Sequence, residues 1–347
     1  MKEKRPAGKT GRTVLTIVGI VLALLLAVLI IGFAYMDKFL NLMDRTPDDS
    51  TMSSEEYQEF INSETEETLS QEQLENAIDP DDVIWEIDTQ PIVRQEHIIN
   101  ILLIGQDRRP GEVRSRSDTM ILCTLNTATC ELTLTSFMRD MYVPIPGYGD
   151  ERINVCYLVG GMKLLNKCLE QNFGVHVDGN IEVDFSGFKK VINLIGGIDI
   201  ELTEAELAFM QKNGCDVQVG RNHLDGYATL VYARNRWTGD ADFGRTDRQR
   251  KVINAAIEKC KTLNFFQIKN IIEQALPMVT TDMTNIQLID YALEILPLMK
   301  DLKINTQQIP EFGTFTDAAV EGVGLVLVPN LRANRRILEK YTVMETE

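Results

Sequence analysis

Val14 to Met36 (VLTIVGIVLALLLAVLIIGFAYM) contains no charged residue, and a helix of that length reaches across the hydrocarbon core of a bilayer. Ahead of it stand Lys2, Lys4, Arg5, Lys9 and Arg12 against Glu3 alone, so the positive-inside rule keeps the N-terminus cytoplasmic and sends the rest of the chain across. A cleaved signal peptide is the competing reading, but the run is long for one and lacks a clear small-x-small cleavage site. The expected organisation is a cytoplasmic basic tail over 1–13, a single-pass transmembrane signal anchor over 14–36, an acidic extracytoplasmic linker over 37–96 and one folded domain over 97–347. The expected location is the cell membrane, with the folded domain outside.

The chain carries a formal net charge of -16. Residues 37–96 are rich in Asp, Glu, Ser, Thr and Gln and poor in apolar residues, too little to offset the entropy of ordering, so they read as a stalk with short helical stretches over 53–61 and 71–78. Against this background Tyr232 to Arg250 (YARNRWTGDADFGRTDRQR) gathers five arginines and no lysine around Asp240, Asp242 and Asp247. A guanidinium grips phosphate oxygens with a planar fork and stays charged. Crowded arginines repel, so a fold collects them where carboxylates or a bound polyanion offset the repulsion; a solvated basic helix face is the plainer alternative. The acidic field elsewhere argues against nucleic acid, whose backbone needs a broad basic surface, and favours a small phosphorylated ligand.

From His97 to Tyr341 apolar strands and helices alternate. Strands are predicted over 98–104, 119–125, 132–137, 181–185 and 198–202, and helices over 155–172, 188–194, 224–233, 246–263, 267–276 and 285–296. This is an α/β pattern: a mixed β-sheet core with helices on both faces. Cysteines 123, 130, 156, 168, 215 and 260 show no metal-ligand spacing and read as buried thiols, although an exported chain permits disulfides. His97, His176 and His223 stand in no GxSxG or HExxH context, which argues against a serine triad or a zinc site.

Charged residues recur where strands end. Asp107 follows the first strand in ILLIGQDRR, and Asp118 opens the next in RSDT, so two carboxylates meet at adjacent strand ends. They suit a hard divalent cation shared with phosphate oxygens, or simply shape turns. Arg139-Asp140 leaves the third strand, and a helix beginning near Thr246 would aim its amide donors and positive end at an anion.

The order GQDRR (105–109), RSDT (116–119), Arg139-Asp140, Ile153-Asn154 with Tyr157, VDFSGF (183–188), GGIDI (196–200), His223 to Arg236 and DFGRTDRQ (242–249) resembles the LytR-CpsA-Psr family. The resemblance implies an LCP-like αβα domain acting as a membrane-anchored phosphotransferase. Such an enzyme moves a glycopolymer, such as teichoic acid or capsule polysaccharide, from a polyprenyl-pyrophosphate carrier to peptidoglycan and forms a phosphodiester. It further implies a magnesium or manganese ion on Asp107 and Asp118, and a pyrophosphate site of Arg116, Arg139, Arg234, Arg236, Arg245, Arg248 and Gln249. Asp242 would orient an arginine or act as base, and apolar helix residues such as Leu158, Leu164, Leu165 and Val191 would line a groove for the lipid tail. Met138 replaces a proline frequent in the family before Arg-Asp, and Cys156 an alanine before the tyrosine. A carrier-binding protein without turnover and a pyrophosphatase are the alternatives; a DNA-binding regulator conflicts with the topology.

Overall fold

Apolar residues alternating along short runs make the strands of this chain, and apolar residues at helical spacing make the helices between them. In the computed structural model a short helix, α1 (Gln71–Glu75), precedes β1 (Ile98–Gln106), β2 (Ser117–Asn126), β3 (Glu131–Phe137) and the hairpin β4 (Tyr142–Ile145) and β5 (Gly149–Arg152). Then come α2 (Val155–Phe173), β6 (Gly179–Asp184), α3 (Phe185–Leu194), β7 (Ile198–Leu202), α4 (Glu204–Lys212), β8 (Gly220–Leu224), α5 (Gly226–Ala233) and α6 (Ala241–Lys261). The chain closes with α7 (Phe265–Ala275), β9 (Thr280–Thr281), α8 (Asn285–Ile295), β10 (Lys303–Ile309), β11 (Phe315–Val320), β12 (Gly324–Pro329) and α9 (Leu331–Thr342).

The structure describes residues 37–38, 40–45, 51–53, 55–57, 70–87, 96–106, 114–239 and 241–342. Val14 to Met36 and Asp107 to Arg109 lie outside them, and among the described residues no helix is long and apolar enough to cross a membrane. Residues from Met43 onward make up one unit of the chain.

The sheet has the order β10-β3-β2-β1-β6-β9. Strands β1, β2 and β3 are antiparallel neighbours, whereas β6 joins β1 and β10 joins β3 in parallel. The α/β class with a mixed sheet and flanking helices therefore holds. One face carries the main core, where Leu102, Ile104, Met120, Leu122 and Phe137 pack on Leu165 and Leu169 of α2 and Leu338 of α9. The other face is covered more thinly, by Ile257 of α6 and Tyr291 and Ile295 of α8 over Ile99, Leu125 and Leu302. A satellite core of Ile198, Ile200, Leu202, Met210, Leu224, Tyr232 and Val252 joins β7 and β8 to α4, α5 and α6.

The predicted strands and helices recur with ends shifted by a few residues, α6 excepted, which starts at Ala241 rather than Thr246. Helix α4, not predicted, opens on a capping box in which Thr203 and Glu206 satisfy one another's backbone amides. All six cysteines are free.

Several described residues within 37–96 are held to the domain. Met52 N–H donates to the Val159 carbonyl at 2.9 Å, and buried Tyr57 donates to Glu151 at 3.1 Å. Ile78 N–H donates to the Ala319 carbonyl at 2.9 Å, and Trp85 donates to Asp150 at 2.7 Å with its ring 6.0 Å from that of Tyr142. Scattered apolar residues in acidic sequence thus strap the linker to the domain. Trp85→Ala, which deletes a half-buried ring and one hydrogen bond, is expected to lower domain stability by about 2 kcal/mol in denaturant unfolding; an unchanged midpoint would mean the strap is not held.

Candidate active site

Antiparallel pairing brings the end of β1, the start of β2 and the end of β3 to one edge of the sheet, since Gly105 faces Thr119 and Ile121 faces Ser136. Gln106 and Ser115 flank residues 107–113. The Gln106 amide donates to Glu182, Tyr157 donates to the other oxygen of the same carboxylate, and Ser115 N–H donates back to Gln106 at 2.9 Å. The buried Glu182 and Tyr157 thus hold Gln106, and Gln106 in turn holds Ser115. Glu182 is a residue the sequence reading did not single out.

After β3 a tight turn carries Arg139 and Asp140. Met138 is 1% exposed, its N–H donates to the Ile309 carbonyl at 2.8 Å, and Met141 N–H closes the turn on the Met138 carbonyl at 3.3 Å. Packing constrains the turn where a proline is absent. Asn154 ties it to β2, donating its N–H to the Arg139 carbonyl at 3.4 Å and accepting from Ser117 N–H at 3.3 Å.

The guanidinium of Arg139 donates to Asp118 at 2.7 Å, approaches Asp140 at 3.3 Å and lies 3.8 Å from Asp242. Burial works against its charge, but Asp140, Asp118 and Asp242 more than offset that and hold it above its ordinary value. Asp242 sits in the first turn of α6, where the helix dipole favours an anion, and it also lies 3.4 Å from Arg236 and 3.2 Å from Arg245. Arg245 is 3% exposed, and its Nε and Nη2 have no hydrogen-bond partner among the described residues. Burial, with the positive Arg139 and Arg236 beside it, brings this guanidinium down to about 10, so it stays charged at neutral pH and short of counter-charge. Buried cationic donors of this kind have the chemistry to bind an anion. Burial and the nearby Asp242 push the Asp140 carboxyl above the usual aspartate range, although Arg139 opposes this.

A cleft of about 1050 Å³ is lined by Arg116, Asp118, Arg139, Asp140, Arg236 and Asp242, with Arg245 buried behind Asp242 rather than in the lining, and is walled further out by Arg152, α1 and the β11–β12 hairpin. The remaining predicted residues diverge. Arg248 is 5% exposed and donates to Glu206 at 2.7 Å, to the Asn235 carbonyl at 3.0 Å and to both Thr238 oxygens. It holds α4, α6 and the loop before α6 together. Arg234 caps α5 in a helical conformation and stacks on Phe185 at 4.6 Å, so Arg234 and Arg236 do not lie on one extended segment. Gln249 is half-buried on α6, and its Oε1 has no hydrogen-bond partner among the described residues. Leu164 and Leu165 belong to the main core, and Leu158 is buried, rather than lining a groove. Both ring nitrogens of His223 are engaged, by Asp199 and the Gly196 carbonyl at 2.8 Å each, which pins the β7–β8 hairpin.

A profile of the LytR_cpsA_psr family matches residues 52–334. The chain belongs to the LytR-CpsA-Psr family. It is 36% identical over 176 residues to regulatory protein MsrR of Staphylococcus aureus, a match covering 50% of this chain and 52% of that protein. It is also 36% identical over 169 residues to the polyisoprenyl-teichoic acid–peptidoglycan teichoic acid transferase TagU of Enterococcus faecalis, covering 48% and 54%. The chain spans about half the length of these relatives. Among solved structures, TagT (YwtF) of Bacillus subtilis with bound octaprenyl pyrophosphate shares the fold at a TM-score of 0.56 and 24% identity, over 80% of this chain and 100% of that one. Within this family member, Arg248→Met should leave Glu206 buried without its cation and cost about 3–5 kcal/mol in denaturant unfolding; a loss under 1 kcal/mol would make the Arg248–Glu206 pair dispensable to the fold.

Proposed function

We propose that this protein is an extracytoplasmic phosphotransferase that moves a glycopolymer from a polyprenyl-pyrophosphate carrier to a hydroxyl of peptidoglycan. The observation that carries the reading is the convergence of Arg116, Arg139 and Arg236 on one cleft, with Arg245 buried behind it and its Nε and Nη2 without a partner among the described residues. The name of the Enterococcus relative describes the same transfer. In this reading the apolar run over 14–36 anchors the chain with the domain outside.

Arg139, Arg236 and Arg245 grip the pyrophosphate oxygens, with Arg116 at the cleft wall, and their fixed positions supply electrostatic stabilisation without reorganisation. Arg234 and Gln249 sit at the margin of this group, and Arg248 supports it from behind. The acceptor oxygen bonds to the sugar-side phosphorus as the bridging P–O bond breaks. Polyprenyl phosphate leaves, and the polymer is left in phosphodiester linkage. Asp242, surrounded by three arginines, is the organiser of the clamp. Asp140 lies on the same cleft beside Arg139 with a raised proton affinity, which suits it to take the acceptor's proton.

Carboxylate and phosphate oxygens are the donors a magnesium or manganese ion requires. Asp118, partly exposed in the cleft, fits that role with Asp107, which lies outside the described residues. Among the described residues no group of three or more acidic, His or Cys side chains could hold the ion alone, so substrate oxygens would complete its shell. When bound, such an ion neutralises pyrophosphate charge.

The prenyl tail has a place on the thinly covered sheet face, where Ile101, Leu103, Ile181 and Val183 stay half-buried although they lie on central strands.

With a short-chain polyprenyl-pyrophosphate saccharide, a peptidoglycan oligomer and magnesium, the protein should yield a phosphodiester-linked product and polyprenyl phosphate. Replacing Arg139 with Lys, which keeps charge but loses the fork, should slow transfer about 100-fold. Stoichiometric lipid binding without product would favour the carrier-binding alternative, and release of saccharide phosphate to water a pyrophosphatase. If Asp140 is the base, transfer falls with acidification through a midpoint above the usual aspartate range, because the base must be deprotonated. Asp140→Asn should remove that limb along with most of the rate; a variant that keeps the wild-type profile would assign the limb elsewhere.

A further inference from the structure

We propose that α7 and α8 form a membrane-docking surface that seats the domain on the bilayer holding the chain's own apolar segment. The inference rests on the anchored topology proposed above and adds to it the face that meets the lipid.

Among the described side chains neither helix has a buried residue. Phe266 and Ile272 on α7, Ile286 and Leu293 on α8 and Leu296 just beyond it are exposed, from 42% for Ile272 to 78% for Phe266. Ile286, Leu293 and Leu296 fall on one stripe of the helix, since their spacings are near whole turns. Soluble surfaces carry such residues singly, and a gathering of them marks a contact with something apolar.

The chain's own connectivity says what covers them. Strand β9, which links the two helices, is where the segment following the apolar run docks. Asp44 N–H donates to the Val279 carbonyl at 3.3 Å, and Thr281 N–H donates to the Asp44 carbonyl at 3.1 Å. Arg45 donates to the Met283 carbonyl and to the Asn285 side chain at the start of α8. Met36, the end of the uncharged run, precedes Met43 by seven residues. A fully extended chain of that length covers about 25 Å. The point where the chain leaves the bilayer therefore lies within a short tether of β9 and the helices on either side of it.

Charge is consistent with a docked rather than a free-binding surface. Lys269 is paired with Glu273, and α8 carries Asp290 and Glu294, so these helices have no basic excess with which to seek anionic lipid unaided. The tether supplies the effective concentration that intrinsic affinity lacks. The arrangement also gives a lipid-linked donor a short route, because Tyr291 and Ile295 of α8 face the apolar sheet surface over Ile99 and Leu125.

The full chain, reconstituted in phosphatidylcholine–phosphatidylglycerol vesicles containing a diazirine phospholipid, is to be photo-crosslinked and its lipid adducts mapped by mass spectrometry. Adducts are expected on 266–278 and 285–299 as well as on 14–36. The exposed double variant Ile286→Glu with Leu293→Glu should reduce the helix adducts by about fivefold or more and leave the anchor adducts unchanged. The same variant should slow turnover of a long-chain donor embedded in the vesicle while leaving a short-chain soluble donor unaffected. Adducts confined to 14–36, or an equal effect on both donors, would overturn the docking surface. Absence of turnover with either donor in the wild type would instead remove the transferase reading, because the adduct map needs no activity.

Discussion

A buried arginine with two unused nitrogens is the constraint around which this structure is arranged. Arg245 is brought inside by its place one turn into α6, with Asp242 below it in the first turn and Arg139 arriving from the end of β3. Arg139 also has Asp118 and Asp140, but among the described residues Arg245 pairs with Asp242 alone, which it shares with Arg139 and Arg236, and a buried charge short of partners costs several kcal/mol. The fold carries that cost because other parts over-determine the geometry. Asn154 stitches the Arg139 turn to β2, Met138 is sealed in the main core, and α6 is gripped at its next turn by Arg248.

The arginine cluster thus divides into two kinds of residue by partner rather than by sequence. Arg248 has a carboxylate, two carbonyls and a hydroxyl around it and is part of the scaffold. Among the described residues Arg245 has one ion pair and two nitrogens without a partner, which is why the proposed clamp includes it. Arg234 stacks on Phe185, which fixes its position beside the clamp. Three arginines within one short stretch serve three different physical ends.

Much of this was legible in the chain and some was not, for identifiable reasons. Strong alternation located β1, β2, β3, β6 and β7 because one period fits one half-buried face. Strand β8 (GRNHL) and strand β10 (KINTQQI) escaped because polar residues break their alternation, and neighbouring strands rather than their own pattern fix them. Gly244 and the charges of DADFGRTDRQR hid the true start of α6, which moved Asp242 from a loop into a helical first turn. The role of Arg248 was hidden for a different reason. Its partner Glu206 lies 42 positions away, and sequence spacing cannot show that a cation is already satisfied. The proton affinity of Asp140 likewise depends on burial that only packing reveals.

The central claim is that the fold holds Arg245 at a cost that a pyrophosphate repays. Thermal unfolding of the wild type and of Arg245→Met, each with and without a short-chain prenyl pyrophosphate and magnesium, tests it directly. The account predicts that the unliganded variant melts no lower than the wild type, while the ligand raises the melting temperature of the wild type and not of the variant. A variant that melts lower without ligand yet keeps the full ligand-induced rise would show that Arg245 belongs to the scaffold and that the anion is held elsewhere.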